Sequence, residues 1–197
     1  MFATLLVIAS GIINPALGET PVAAPRPPYR VEAFGDIGSL LSFFQRRGLP
    51  ANARLTTEGY DFIGRLMWHP DHLLAVGLLT GFLHIVDETF TIPDSNSNGP
   101  VRAWLSTIPI MLDVSMQSRH TEFGAAIGGY LFSAVLKDGI TTSTTRLELG
   151  TIFHADYRFD ITNNLSVGPG IFVHYMSYRR ILSFSPHVTV KLTLLSY

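Results

Sequence analysis

The chain has 197 residues, 47% hydrophobic and 15% charged, with a formal net charge of −1 and no cysteine. The charged fraction lies well below the ~25% usual for a soluble domain, and the near-zero net charge gives no sign of a nucleic-acid partner. The absence of cysteine excludes disulfide frameworks, zinc–thiolate sites and thiol nucleophiles, and the length suits one domain.

The first stretch, "MFATLLVIASGIINPALGETPVAAPRPP", reads as an export signal with a linker behind it. Phe2 to Ile13 is an apolar run too short for a membrane helix. Ala16-Leu17-Gly18 suits cleavage before Glu19, so residues 1–18 are assigned as signal peptide and 19–28 as a Pro-rich extended linker. No Lys or Arg precedes the apolar run, which departs from the usual signal. The alternative is a buried N-terminal helix.

From residue 29 onward, strand-like runs recur between short breaks. "YRVEAFG" (29–35) is the first. "DIGSLLSFFQRRGLP" follows, with Ile37, Leu40, Leu41 and Phe44 at the helical period, Asp36 as N-cap, Arg46 and Arg47 near the C-terminus and Gly48 at C′. This predicts a short amphipathic helix over 37–47, in the first outer loop. "EGYDFIGRLMWH" (58–69) is the second strand, with Tyr60, Phe62, Leu66 and Trp68 on one face and Asp61 and Arg65 on the other. A tight turn at Pro70-Asp71 leads to "HLLAVGLLTGFLHIVD" (72–87), whose two faces are less distinct.

After a loop at 88–101 comes "RAWLSTIPIMLDVSMQ" (102–117), with Ile108, Ile110, Leu112, Val114 and Met116 opposite Asp113, Ser115 and Gln117. A turn at 118–120 introduces "TEFGAAIGGYLFSAVL" (121–136), and "KDGITTST" reads as a loop. The sixth strand, "RLELGTIFHADYRF", separates Leu147, Leu149, Phe153, Tyr157 and Phe159 from Arg146, Glu148, His154, Asp156 and Arg158. At 14 residues it spans roughly 45 Å, whereas ordinary strands run to about 5–6 residues and membrane-spanning ones to ~9–11. A turn at 160–164, "LSVGPGIFVHYMSY" (165–178), a brief connection at 179–182 and "SFSPHVTVKLTLLSY" (183–197) complete the chain.

Eight long strands joined by alternately tight and longer connections predict an all-β, eight-stranded, antiparallel, up-and-down transmembrane barrel over 29–197, with both termini periplasmic. Its apolar rows then face lipid. The lumen receives Asp61, Arg65, Asp113, Glu122, Arg146, Glu148, Asp156, Arg158 and Lys191, with His154 beside Asp156 in the same network. A barrel of this size is just wide enough for its own side chains to fill it, so the expectation is a polar core and not a channel. Trp68, Trp104, Phe90, Tyr157, Tyr178 and Phe184 fall near strand ends, where aromatic girdles belong.

"GYDFIGRLMWHPDHLLAVGLLTGFLHI", "IPIMLDVSMQ…EFGAAIGGYLF" and "NNLSVGPGIFVHYM" resemble the hairpins of small bacterial outer-membrane β-barrel proteins, the broad OmpX/OmpW-like group. The resemblance is one of pattern and covers about residues 29–197. It implies no cofactor and no shared catalytic residues. It implies a role in envelope integrity, adhesion or an envelope assembly, or passage of small hydrophobic compounds. The partners it implies are outer-membrane lipid, other envelope proteins and the barrel assembly machinery, which reads a C-terminal aromatic preceded by alternating apolar residues. Leu195 and Tyr197 match that signal, while Thr193 and Lys191 do not. A β-bulge near 194–195 would reconcile the two registers; without one the signal is degenerate.

Three other chemistries are open to the sequence. His69 and His72 flank a turn, and two ligands without a third make a weak metal site; surface turn histidines are the plainer reading. His174 and Ser177 suggest an outer-membrane lipid-modifying hydrolase, but three residues apart on a strand they face opposite ways. A soluble lipocalin-like carrier of a hydrophobic ligand would put the oily rows inside.

Overall fold

Alternation of polar and apolar residues leaves each strand with one face for the interior and one for the surroundings, and a sheet of such strands removes its edges by closing on itself. The chain does this. The computed structural model describes residues 29–43, 54–56, 58–71, 73–90, 101–138, 140–177 and 180–197. The signal peptide (1–18), the linker (19–28), His72 and Tyr178 lie outside the described residues.

Among the described residues ten strands follow one another: β1 (Arg30–Phe43), β2 (Arg54–Thr56), β3 (Glu58–His69), β4 (Leu74–Phe90), β5 (Val101–Gln117), β6 (Thr121–Asp138), β7 (Ile140–Tyr157), β8 (Phe159–Asp160), β9 (Leu165–Met176) and β10 (Ile181–Ser196). All pairs are antiparallel, and β1 closes the barrel by pairing with both β3 and β10. The short β2 continues the line of β3 along β4, and β8 continues that of β7 along β9. The barrel therefore has eight staves. Tyr29 and Tyr197 exchange backbone hydrogen bonds of 2.9 and 3.0 Å, which ties the two termini together at one end. The tight turns at 118–120 and 161–164, and the bend at Pro70 and Asp71 after β3, lie at the same end.

The outer surface is apolar. Leu149 is 71% exposed, Ile127 66% and Leu112 60%. At the termini-bearing end the outer surface carries Trp68, Tyr157, Phe159 and Tyr197. Of the other aromatics expected at strand ends, Trp104 and Phe184 are half-buried near the opposite end, and the side chain of Phe90 lies outside the described residues.

Two expectations fail. Residues 37–43 are strand, and 44–47 lie outside the described residues. The helical spacing of Ile37, Leu40 and Leu41 is overridden by ladders on both sides of β1: Ile37 sits outward between Phe62 and Val188, and Leu40 points in and is fully buried. Nor is "KDGITTST" a loop. Lys137, Asp138 and residues 140–144 are strand, and β6 and β7 pair from Asp138↔Ile140 downward. Thr and Ile suit an extended ladder, and the polar composition reflects a ribbon whose Ser143, Thr144 and Thr145 are exposed.

The bulge at the C-terminus is present. Val31 pairs with Leu195 and Glu32 with Thr193, so Leu194 is the extra residue. Beyond it Leu195 and Tyr197 stand on the outside with Leu194. A second bulge, between His84 and Val86, turns both Ile85 and Val86 into the interior.

Candidate functional site: the packed lumen

Inward-facing residues divide the lumen into two layers. Toward the termini it is charged; toward the other end it is apolar.

Arg65 of β3 is the centre of the charged layer. Its Nε donates to Asp36 Oδ2 at 3.1 Å, Nη1 to Glu122 Oε1 at 3.1 Å and Nη2 to Asp156 Oδ2 at 2.9 Å. It thereby joins β1, β6 and β7 across the barrel. Nη1 also meets His154 Nδ1 at 3.1 Å. The guanidinium lies between two rings, 4.5 Å from the centroid of Phe34 and 5.5 Å from that of Phe172, the geometry of a cation–π contact. Arg158 donates to the other oxygen of Glu122 at 2.6 Å and also covers Phe34.

Histidines extend the network. His187 Nε2 lies 2.8 Å from Asp156 Oδ1, with its ring stacked on Phe172 at 4.1 Å. His154 Nε2 lies 3.1 Å from Asp113. His69 Nε2 and Lys191 Nζ approach the two oxygens of Glu32 at 2.9 and 3.2 Å. Asp61 accepts from Ser185 Oγ at 2.8 Å and faces His174 Nε2 at 3.6 Å, and the far nitrogen of His174 meets the Tyr130 hydroxyl at 3.2 Å. Charge-assisted bonds are the stronger ones, and a network this dense holds every strand it touches in one register.

Beyond Tyr130 the lumen changes character. Leu40, Leu79, Leu83, Ile85, Phe132, Met176 and Ile181 are buried at 3% exposure or less and belong to one cluster. The interior is thus not a polar core throughout. β4 carries apolar residues on both faces, Leu74, Val76 and Leu78 outward and Leu79 and Leu83 inward, so its alternation concealed this layer.

Of the residues assigned to the lumen by parity, Asp61, Arg65, Asp113, Glu122, Glu148, Asp156, Arg158 and Lys191 are buried. Arg146 is not. It shares the inward parity, but β7 pairs with β9 only from Gly150 to Asp156, and Arg146 lies on the exposed stretch beyond. Glu32, Asp36 and His187 are buried in the same layer, although the set expected there lacks them. Continuing the alternation of β1 past residue 35 would have put Asp36 with Glu32 and Phe34, and His187 shares the row of Ser185, Thr189 and Lys191. His69 is not a surface turn histidine; it is 1% exposed and belongs to the row of Asp61 and Arg65.

Glu122, His154 and Asp156 offer ligand atoms within 4.8 Å of one another. Arg65 contacts all three, so the positive charge at this point is the guanidinium. His174 and Ser177 do not meet as a nucleophilic pair: His174 is fully buried against Tyr130 and Asp61, while Ser177 Oγ is exposed and donates to the Leu149 carbonyl at 2.8 Å.

No family model matches the sequence, and no curated protein matches it. Solved structures do match. Neisserial surface protein A superimposes with a TM-score of 0.52 at 13% identity, over 83% of this chain and 97% of its own. Ail, the attachment invasion locus protein of Yersinia pestis, solved with the heparin analogue sucrose octasulfate, gives 0.51 at 10% identity, over 84% and 99%. The chain shares their fold. The resemblance to small outer-membrane barrels therefore holds for architecture, and at these identities it says nothing about ligands.

Proposed function

We propose that the chain is a bacterial outer-membrane barrel with a filled lumen and a structural or interaction role: envelope integrity, adhesion, or a subunit of an envelope assembly. The observation that carries this is the inversion of its two surfaces. Large apolar side chains such as Leu149, Ile127 and Phe153 cover the outside, while Arg65 and its carboxylates are buried inside. Water is a poor solvent for that exterior, and lipid a good one. The same inversion argues against a soluble carrier, whose oily rows would face in.

In this reading the termini and tight turns are periplasmic, and the taller hairpins face outward. The exposed Leu195 and Tyr197 serve as the C-terminal signal for the assembly machinery. The apolar layer of Leu40, Leu83, Phe132 and Ile181 above the charged one opposes ion passage. The test has two parts. Purified protein needs detergent and migrates differently folded and boiled. Reconstituted in planar bilayers, it gives no steady conductance. Partition as a detergent-free monomer would overturn the membrane assignment, and a persistent channel of porin size would overturn the filled lumen.

A further inference from the structure

The rim away from the termini is not level. β9 ends at Met176, which pairs with Ile181 at the head of β10, and β7 has β9 beside it only from Gly150 to Asp156. The β6–β7 ribbon continues past that shoulder as far as Asp138↔Ile140. Over 140–148, β7 has β6 on one side and, among the described residues, no strand on the other. At ~3.3 Å per residue this open edge is roughly 30 Å long.

The Leu149 carbonyl accepts from the Ser177 N–H at 3.2 Å, so it points to the β9 side. Bonding direction alternates along an antiparallel strand. Thr141, Ser143, Thr145 and Leu147 share the parity of Leu149 and therefore turn their N–H and C=O groups to the open edge. Folded proteins guard such an edge with proline, lysine, a bulge or a covering segment. Residues 140–148 contain neither proline nor lysine, and the β6–β7 register runs without a shift. Ser143, Thr144, Thr145, Arg146 and Leu147 are exposed. The edge is long, straight, rich in threonine and left open to an extended partner.

We infer that it pairs antiparallel with the same edge of a second copy of this chain, Thr144 facing Thr144. Ser143 then meets Thr145, Thr142 meets Arg146, Thr141 meets Leu147 and Ile140 meets Glu148. Every N–H and C=O that faces the edge from 141 to 147 gains a partner. The register is the deepest the shoulder allows, because the next one of the same parity would bring Ile140 of the second copy to Gly150, where Met176 already sits. Hydroxyl-bearing residues face one another across it and no like charges are opposed, which favours a strand pair. This self-match is what points to a copy; a foreign strand would find the same backbone with nothing to fix its register. Antiparallel pairing turns the second barrel end for end. Copies in one membrane share one direction, so the partner stands in a facing membrane. One short ladder is a weak contact, and many between two surfaces add by avidity. The inference deepens the adhesion role and rests on the proposed function for the outward direction of the ribbon.

The test uses the full chain reconstituted in phosphatidylcholine vesicles, with clustering read by light scattering. Vesicles carrying the protein are expected to cluster and protein-free vesicles to stay dispersed. Thr145→Pro removes an N–H that faces the edge and not β6, so it should abolish clustering while keeping heat-modifiable migration. The chain has no cysteine of its own, so Thr144→Cys reports the register. When vesicles bearing two differently tagged copies are mixed under oxidation, Thr144→Cys should form mixed disulfide dimers at least about tenfold faster than Thr142→Cys, whose counterpart lies out of disulfide reach. Three results would overturn the inference: no clustering, clustering unchanged in folded Thr145→Pro, or disulfides that never join the two tags. The membrane reading fails separately, by protein that does not float with the vesicles; protein that floats in vesicles that stay dispersed refutes the edge pairing alone.

Discussion

Replacing Arg65 by Met keeps the stem length and removes the charge at the centre of the lumen. The loss is not shared equally by its three carboxylates. Glu122 keeps Arg158 at 2.6 Å, and Asp156 keeps His187 at 2.8 Å. Asp36 loses contacts of 3.1 and 3.4 Å and is left with His187 at 3.8 Å. The penalty is therefore that of one broken buried pair, about 3–5 kcal/mol, and not three times that. The assay is urea unfolding in lipid vesicles, read by the fluorescence of Trp68 and Trp104. Adding Asp36→Asn removes the stranded charge, so Arg65→Met/Asp36→Asn should recover more than half of the loss. The reasoning fails if Arg65→Met lies within about 1 kcal/mol of the unaltered protein, or if the second substitution restores nothing.

Other substitutions follow from the same geometry and use the same assay. Arg158→Leu should cost less than Arg65→Met, because Glu122 keeps Arg65 at 3.1 Å; an equal or larger loss would mean that Arg158 holds more than Glu122. Leu149→Arg puts a charge on the outer surface and should cost ~2–4 kcal/mol near the bilayer midplane, while Phe153→Leu should be nearly silent; the reverse pattern would place that row in a packed interior. Gly168→Ala drives a methyl group into the Tyr157 carbonyl and should lower stability by about 1–3 kcal/mol. Gly35→Ala, with nothing within 4 Å, should change the unfolding midpoint little, and a large loss there would mean that the outer face at Gly35 is covered.

Alternation in the sequence was legible wherever a strand kept one charged and one oily row. β3 and the run from β7 on through Phe159 are of this kind, and they alone place Asp61, Arg65, Glu148, Asp156 and Arg158. It failed where a stronger local pattern or a composition intervened. Asp36 looked like a helix cap because Ile37, Leu40 and Leu41 mimic a helical face; only pairing with β3 and β10, invisible in one sequence, makes residues 37–43 extended. The threonine-rich stretch after Asp138 has the composition of a loop, and polarity alone does not separate a loop from an exposed ribbon. His69 looked exposed because it precedes a turn. Its parity with Arg65 was the better signal, since turn proximity says nothing about which way a side chain points.

Among the described residues, buried carboxylates outnumber fixed buried cations: Glu32, Asp36, Asp61, Asp113, Glu122, Glu148 and Asp156 against Arg65, Arg158 and Lys191. At five of those carboxylates stands a buried histidine: His69 at Glu32, His154 at Asp113, His174 at Asp61, and His187 at both Asp156 and Asp36. The choice of imidazole has a steric side as well as an electrical one. Each such ring must fit beside a neighbouring strand in a barrel with little room, and glycine supplies the room. Gly124 is the cross-strand partner of His154, and a Cβ there would strike that ring. Gly170 pairs with both Asp156 and His187 and would strike both. Gly38 pairs with Asp61 and His187 and would strike Asp61 and Ser185. The inward glycines are thus the footprint of the network on the adjacent staves. Substituting them should damage the charged layer as surely as substituting the charges, because in a lumen filled to contact the space for a side chain and its partner are fixed together.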